Sequence, residues 1–151
     1  MTRKRRKTHR SLPQVGAIED VFGLAVAEAS LLLEEMQTWQ ENMEGRDGLE
    51  YTPKYEEVSE VVGQMEEIES ALISVQDAIF DLDEEYGQRT ITYADIAPYG
   101  QKGAPRWMRA ATAANILESI AEELEIRSPD LAHELTELAG ALREVAFPAA
   151  F

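Results

Sequence analysis

The sequence predicts an all-α protein: a long antiparallel helical hairpin of coiled-coil type, packed with two shorter helices in a four-helix arrangement. Three observations predict it. Apolar residues recur at alternating spacings of three and four over two separate stretches of 29 positions each. A glycine-containing connection separates the stretches. Two shorter Ala- and Leu-rich segments, each opened by a proline, follow residue 104. The 151 residues, 44% apolar and 28% charged, suit one domain with a buried core.

The first stretch is Val15, Ile18, Phe22, Ala25, Ala29, Leu32, Met36, Trp39 and Met43. The second is Val58, Val61, Met65, Ile68, Leu72, Val75, Ile79, Leu82 and Tyr86. Each would be about 43 Å long as a helix. Between them lies "EGRDGLEYTP". Gly45 and Gly48 suit a helix end, Thr52 an N-cap and Pro53 the first helical position. The hairpin is therefore expected over 15–86, with its turn near Gly45–Tyr51. Trp39 and Met43 should face Val58 and Val61, and Val15 should lie near Tyr86. Asn42 is expected to cap the first helix. Val21, Leu24, Leu31, Leu33, Val62, Ile73 and Phe80 fall off the seams and need cover, from further helices or a second copy.

Residues 87–104, "GQRTITYADIAPYGQKGA", carry no sustained period. "TITY" reads as a short strand, and "TYADIA" as a single helical turn capped by Thr92. A connection this long in a compact domain often carries function. A third helix is expected over 105–127, opened by Pro105, with Ala110, Ala111, Ala113 and Ala114 allowing close approach of a neighbour. Ser128 and Pro129 read as the cap and first turn of a fourth helix over 129–146. Leu131, Leu135, Leu138, Leu142 and Val145 form its apolar stripe. Residues 147–151, "FPAAF", form an apolar tail, and residues 1–14 a basic arm ahead of the single helical domain 15–146.

Charge is partitioned along the chain. The net charge is −15, yet residues 1–14 hold six basic groups and no acid. Residues 15–86 hold twenty acids against Arg46 and Lys54. Residues 87–151 hold nine acids and six bases. Like charges three or four apart cost a few tenths of a kcal/mol each, so burial along the seams must outweigh repulsion on the outer faces. The absence of Cys excludes disulfides, thiolate zinc sites and Cys nucleophiles. No apolar run approaches the roughly 20 residues of a membrane span, and Glu19, Asp20 and Glu28 interrupt the segment where a secretory signal would need continuity.

Arg3, Lys4, Arg5, Arg6, Lys7 and Arg10 form a run of the kind that binds phosphate backbones. It contains no aromatic residue to stack on bases, so no sequence readout is expected. Nucleic acid or another polyanion is the expected partner, with a solvated tail or an arm lying on the acidic hairpin of another copy as alternatives. The carboxylate-studded hairpin could instead imitate a phosphate backbone and occupy a groove on a protein partner, or be a solvated face.

No metal, cofactor or catalytic set is expected. Asp130-Leu-Ala-His133 approximates one Glu-x-x-His pair, but the only other His is His9. "DLDEEYGQRTIT" misplaces the glycine of a calcium loop and ends on Thr92 rather than Glu. Two His residues, one in the arm, support no Ser-His-acid set. Around the long connection, Arg89, Tyr93, Asp95, Tyr99, Lys102, Arg106, Trp107 and Arg109 concentrate polar and aromatic groups. Tyr93, Tyr99, Lys102, Arg106, Trp107 and Arg109 are candidate partner contacts, with a plain packed loop as the alternative.

"LLLEEMQTWQENMEG" followed by "LEYTPKYEEVSE" resembles a group of small helical bacteriophage-encoded proteins of unknown function, which share a Trp-x-x-Asn-Met segment and a Lys-Tyr-Glu-x-Val-Ser-Glu helix. The matching residues are Trp39, Asn42, Met43, Lys54, Tyr55, Glu56, Val58, Ser59 and Glu60, about a third of the chain by extent. The resemblance implies a viral origin, a helical fold and a place in the host cytoplasm or the virion, and transfers no catalytic residues. Together the expectations are of a non-enzymatic accessory or virion-associated protein that binds a polyanion through its arm. The alternatives are an acidic decoy of a nucleic-acid-binding host protein and a self-assembling structural module.

Overall fold

The structure, a computed structural model, describes residues 13–46, 48–87, 89–94 and 104–148. In chain order it comprises β1 (Pro13–Ala17), α1 (Ile18–Glu44), a 3₁₀ turn (Leu49–Tyr51), α2 (Pro53–Tyr86), β2 (Thr90–Ala94), α3 (Arg106–Leu124) and α4 (Pro129–Glu144). Two long and two short helices make the all-α, four-helix arrangement. β1 and β2 pair antiparallel in a two-stranded sheet.

The hairpin forms because both seams bury. Ile18, Phe22, Ala25, Ala29, Leu32, Met36 and Met43 of α1 meet Val58, Val61, Met65, Ile68, Leu72, Val75 and Ile79 of α2 in one buried cluster. Trp39, Tyr55 and Leu82 pack against its edge. Polar links beside the seam set the antiparallel register. Tyr55 Oη donates to Glu44 Oε2 at 2.5 Å, Gln40 Nε2 to Ser59 Oγ at 3.0 Å, and Ser30 Oγ to Glu69 Oε2 at 2.5 Å. Thr52 caps α2 by accepting from the Tyr55 N–H at 3.3 Å, with Pro53 in the first turn. Gly48 takes φ +76°, a left-handed conformation that favours glycine. Asn42 is exposed; α1 instead closes at Gly45, whose N–H donates to the Glu41 carbonyl at 3.2 Å.

The short helices complete a ring. Arg106 and Arg109, early in α3, reach Glu35 and Glu28 of α1. Arg89 pairs with Glu123 near the end of α3, and its carbonyl accepts from the Ile18 N–H at the start of α1. Helix α3 is therefore antiparallel to α1. Helix α4 returns along α3, tied by Arg143 to Glu118 and Asn115. It also runs antiparallel to α2: Leu131 shares a cleft with Leu82, and Val145 shares one with Ile68. Going round the ring the order is α1, α2, α4, α3. α2 and α3 consequently run the same way and need a crossover instead of a tight turn, which is why a long connection separates them.

Four further sequence expectations need correction. Residues 13–17 are not the first turn of the hairpin: Val15 pairs with Thr92 across the sheet and is 69% exposed, so it does not extend the buried seam; the Tyr86 side chain expected beside it lies outside the described residues. Pro13 and Gly16 disfavour a helix there, and the crossover supplies a strand partner. The single helical turn expected from Thr92 is absent as far as Ala94, which ends β2. The third and fourth helices end at Leu124 and Glu144. The Ser128 side chain makes no cap hydrogen bond; its carbonyl accepts from the Ala132 N–H at 2.9 Å.

Cover for the off-seam residues comes largely from within the chain. Val21, Leu33 and Val62 are buried and Leu24 half-buried. The alanines of α3 do what their size allows: Ala110, Ala113 and Ala114 are fully buried, as is Ala139 of α4. Leu31, Ile73 and Phe80 remain exposed.

Candidate functional site

Among the described residues Glu28 is the one buried charged or polar side chain, at 1% exposure. It sits in "LAVAEASLLL", on the flank of α1 that α3 covers. A carboxylate so desolvated must be paired. Arg109 supplies the pair: its Nε donates to Glu28 Oε2 at 2.8 Å and its Nη1 to Glu35 Oε1 at 2.9 Å. Nη2 lies within ion-pair distance of both carboxylates, 2.8 and 2.9 Å, without the alignment of a hydrogen bond. Arg106 Nε donates to the same Glu35 oxygen at 3.0 Å, and its guanidinium stands 5.6 Å from the centre of the Trp39 ring.

The network therefore joins two carboxylates, two guanidiniums and an indole across the α1–α3 interface. Burial pushes the Glu35 carboxyl upward, but hydrogen bonds and charge from Arg109 and Arg106 more than offset this and hold it below its ordinary value. Burial pushes Arg109 downward, and its bonds to Glu35 and Glu28 reverse that. Both shifts favour the charged forms of Glu35 and Arg109, which suits a pair that ties α1 to α3 better than one that moves a proton.

The residues singled out in the sequence are thus divided. Arg106 and Arg109 come together and turn inward. Trp107 is 60% exposed beside them and Met108 is exposed also. Arg89 is paired with Glu123. Tyr99 and Lys102, with the Tyr93 side chain and Asp95, lie outside the described residues, as do Arg3, Lys4, Arg5, Arg6, Lys7 and Arg10. Glu28 is the residue that composition alone passed over. Its signal was a single acid inside an otherwise apolar and small run.

The acidic hairpin keeps most of its carboxylates outward. Glu34, Glu41, Glu44, Glu56, Glu57, Glu60, Glu66, Glu67, Asp77, Asp81, Glu84 and Glu85 are all exposed. Asp83 differs: burial raises its carboxyl above the ordinary value, the charge of Arg89 only partly opposes this, and Asp20 adds to it. Its Oδ2 is buried without a hydrogen-bond partner among the described residues. His133 of α4 lies 3.4 Å from Glu137, both well exposed. Among the described residues no three His, Cys, Asp or Glu side chains are placed to hold a metal ion, and no described helix is long and apolar enough to cross a membrane.

Among the described residues, fold and surface define a four-helix bundle with one buried ion network and a long, acid-faced hairpin. Comparison with family models, with curated proteins and with solved structures finds no match to this chain.

Proposed function

We propose that this is a non-enzymatic helical protein of bacteriophage type that binds nucleic acid or another polyanion through Arg3, Lys4, Arg5, Arg6, Lys7 and Arg10. The observation carrying the reading is the charge partition: six cations and no acid precede β1, while the body behind them is strongly acidic. A body of that charge is repelled by a phosphate backbone, so contact is left to the arm. The likeness of the hairpin's closed end to small phage-encoded proteins supports the viral setting. Arg106 and Arg109 are committed inward, while Trp107 between them is exposed and open to a protein contact.

The test is binding of a short DNA duplex across a salt series by the full chain and by a variant with all six arm cations changed to Gln. The native chain should lose affinity steeply with salt, by a slope of up to about −5 in log K against log salt for six contacts. The variant should lose most of its affinity and nearly all of that slope. Equal binding by both overturns the reading. A second reading, an acidic decoy of a nucleic-acid-binding host protein, rests on the exposed carboxylates of α2. Reversing Glu56, Glu57, Glu66, Glu67 and Glu69 to Lys should abolish capture of such a partner while the arm variant retains it.

A further inference from the structure

Ile73 and Phe80 are one heptad apart on α2 and are 51% and 46% exposed. They share a stripe separate from that of Gln64, Ile68 and Leu82, which faces α4. The hairpin register, given by the Ser30–Glu69 and Gln37–Glu66 hydrogen bonds, sets Gly23, Val26 and Ala27 of α1 opposite them. Ala27 is exposed, and a Cβ on Gly23 would meet nothing within 4 Å, so the floor of this α1–α2 groove is open. Its rim is acidic, with Asp77 and Glu84 exposed and Glu69 half-buried.

An apolar floor with an acidic rim selects a cationic occupant. A second copy seated face to face would bring Asp77 and Glu84 against their own counterparts. The chain's own cationic segment is residues 1–12, with six bases and no acid. It ends at Pro13, where β1 begins. Twelve residues extend to about 40 Å. Ile73 and Phe80 stand level with residues within about 15 Å of the start of α1, and β1 adds about 16 Å even if it points directly away. The reach is sufficient. Arg and Lys stems can cover Ile73 and Phe80 while their heads meet Asp77 and Glu84.

We propose that the α1–α2 groove docks residues 1–12 of its own chain, so that the arm rests on the hairpin until a polyanion displaces it. The proposal rests on the polyanion reading only in naming the competitor. The chain has no Cys, so Thr2→Cys accepts a single nitroxide label on the full-length protein. At about 20 mM salt the label should broaden the amide signals of Gly23, Val26, Ile73, Asp77 and Phe80 by roughly half or more. About 0.5 M salt should restore them, because screening then acts within about 4 Å. The Ile73→Ser, Asp77→Asn, Phe80→Ser, Glu84→Gln variant and the six-Gln arm variant should each remove the effect. Uniform or absent broadening, broadening that survives in the arm variant, or broadening seen only from labelled to unlabelled copies would overturn the proposal. No polyanion is present in this measurement. Its failure leaves the DNA-binding reading standing, and a chain that shows the contact yet binds no duplex sinks that reading alone.

Discussion

Arg109 ties α3 to the long hairpin through two carboxylates of α1, Glu28 and Glu35. Changing it to Ala strands Glu28 as an unpaired buried charge, and urea unfolding should show a loss of about 3–5 kcal/mol. Replacing Glu28 and Arg109 together by Leu and Met should cost far less, because the desolvation penalty leaves with the pair. Two carboxylates should respond to pH with opposite signs. Glu35 has a folded value below its unfolded one, so its contribution is complete above the ordinary carboxylate range and is lost as pH falls through the folded value. Asp83 has a folded value above its unfolded one, so it favours the fold in acid and costs stability once pH rises through that value. Asp83→Asn should therefore stabilise the protein at pH 7, an advantage that disappears in acid below the ordinary Asp range. Glu35→Gln should destabilise at pH 7 and converge with the native chain in acid. Thermal melts across pH read both. Little of this was legible: Glu28 and Arg109 are 81 residues apart, and no local pattern links a lone acid in an apolar run to an arginine on another helix.

At the scale of elements, local chemistry and tertiary pairing contributed differently. The α2 start was readable because Thr52 and Pro53 act on the nearest backbone groups. Thr52→Ala should cost about 1 kcal/mol, measured by chemical denaturation. The α3 packing was readable in kind, since a run of alanines invites a close neighbour. Ala113→Leu should overpack the fully buried site and cost about 1–3 kcal/mol. The start of α1 was misread for a physical reason. Val15 fits the heptad by one coincident spacing, but Gly16 and Pro13 weaken a helix there, and β2, far along the chain, offers backbone pairing that local spacing cannot reveal. A strand exists only with its partner.

For the whole molecule, repulsion between outward carboxylates works against the cohesion of the core. Raising NaCl from about 20 mM to about 0.3 M should raise the melting temperature by several degrees, since screening weakens exposed repulsion more than it weakens the buried Glu28–Arg109 pair. A flat or falling response would show that the acidic faces impose no strain. The charge imbalance that gives this prediction is written in the composition. The ring order of the helices is not, because several packings would have buried the same off-seam residues.

By itself the sequence determined the helices, the hairpin and its turn, the need for covering helices and the separation of charge, because spacing, caps and composition act locally along the chain. Only the tertiary structure decided that α3 and α4 close the ring, that β1 pairs with β2, that Arg109 faces Glu28, and that the four helices leave Ile73 and Phe80 uncovered. Those outcomes depend on which distant surfaces meet, and contact between distant surfaces leaves no periodicity in either partner.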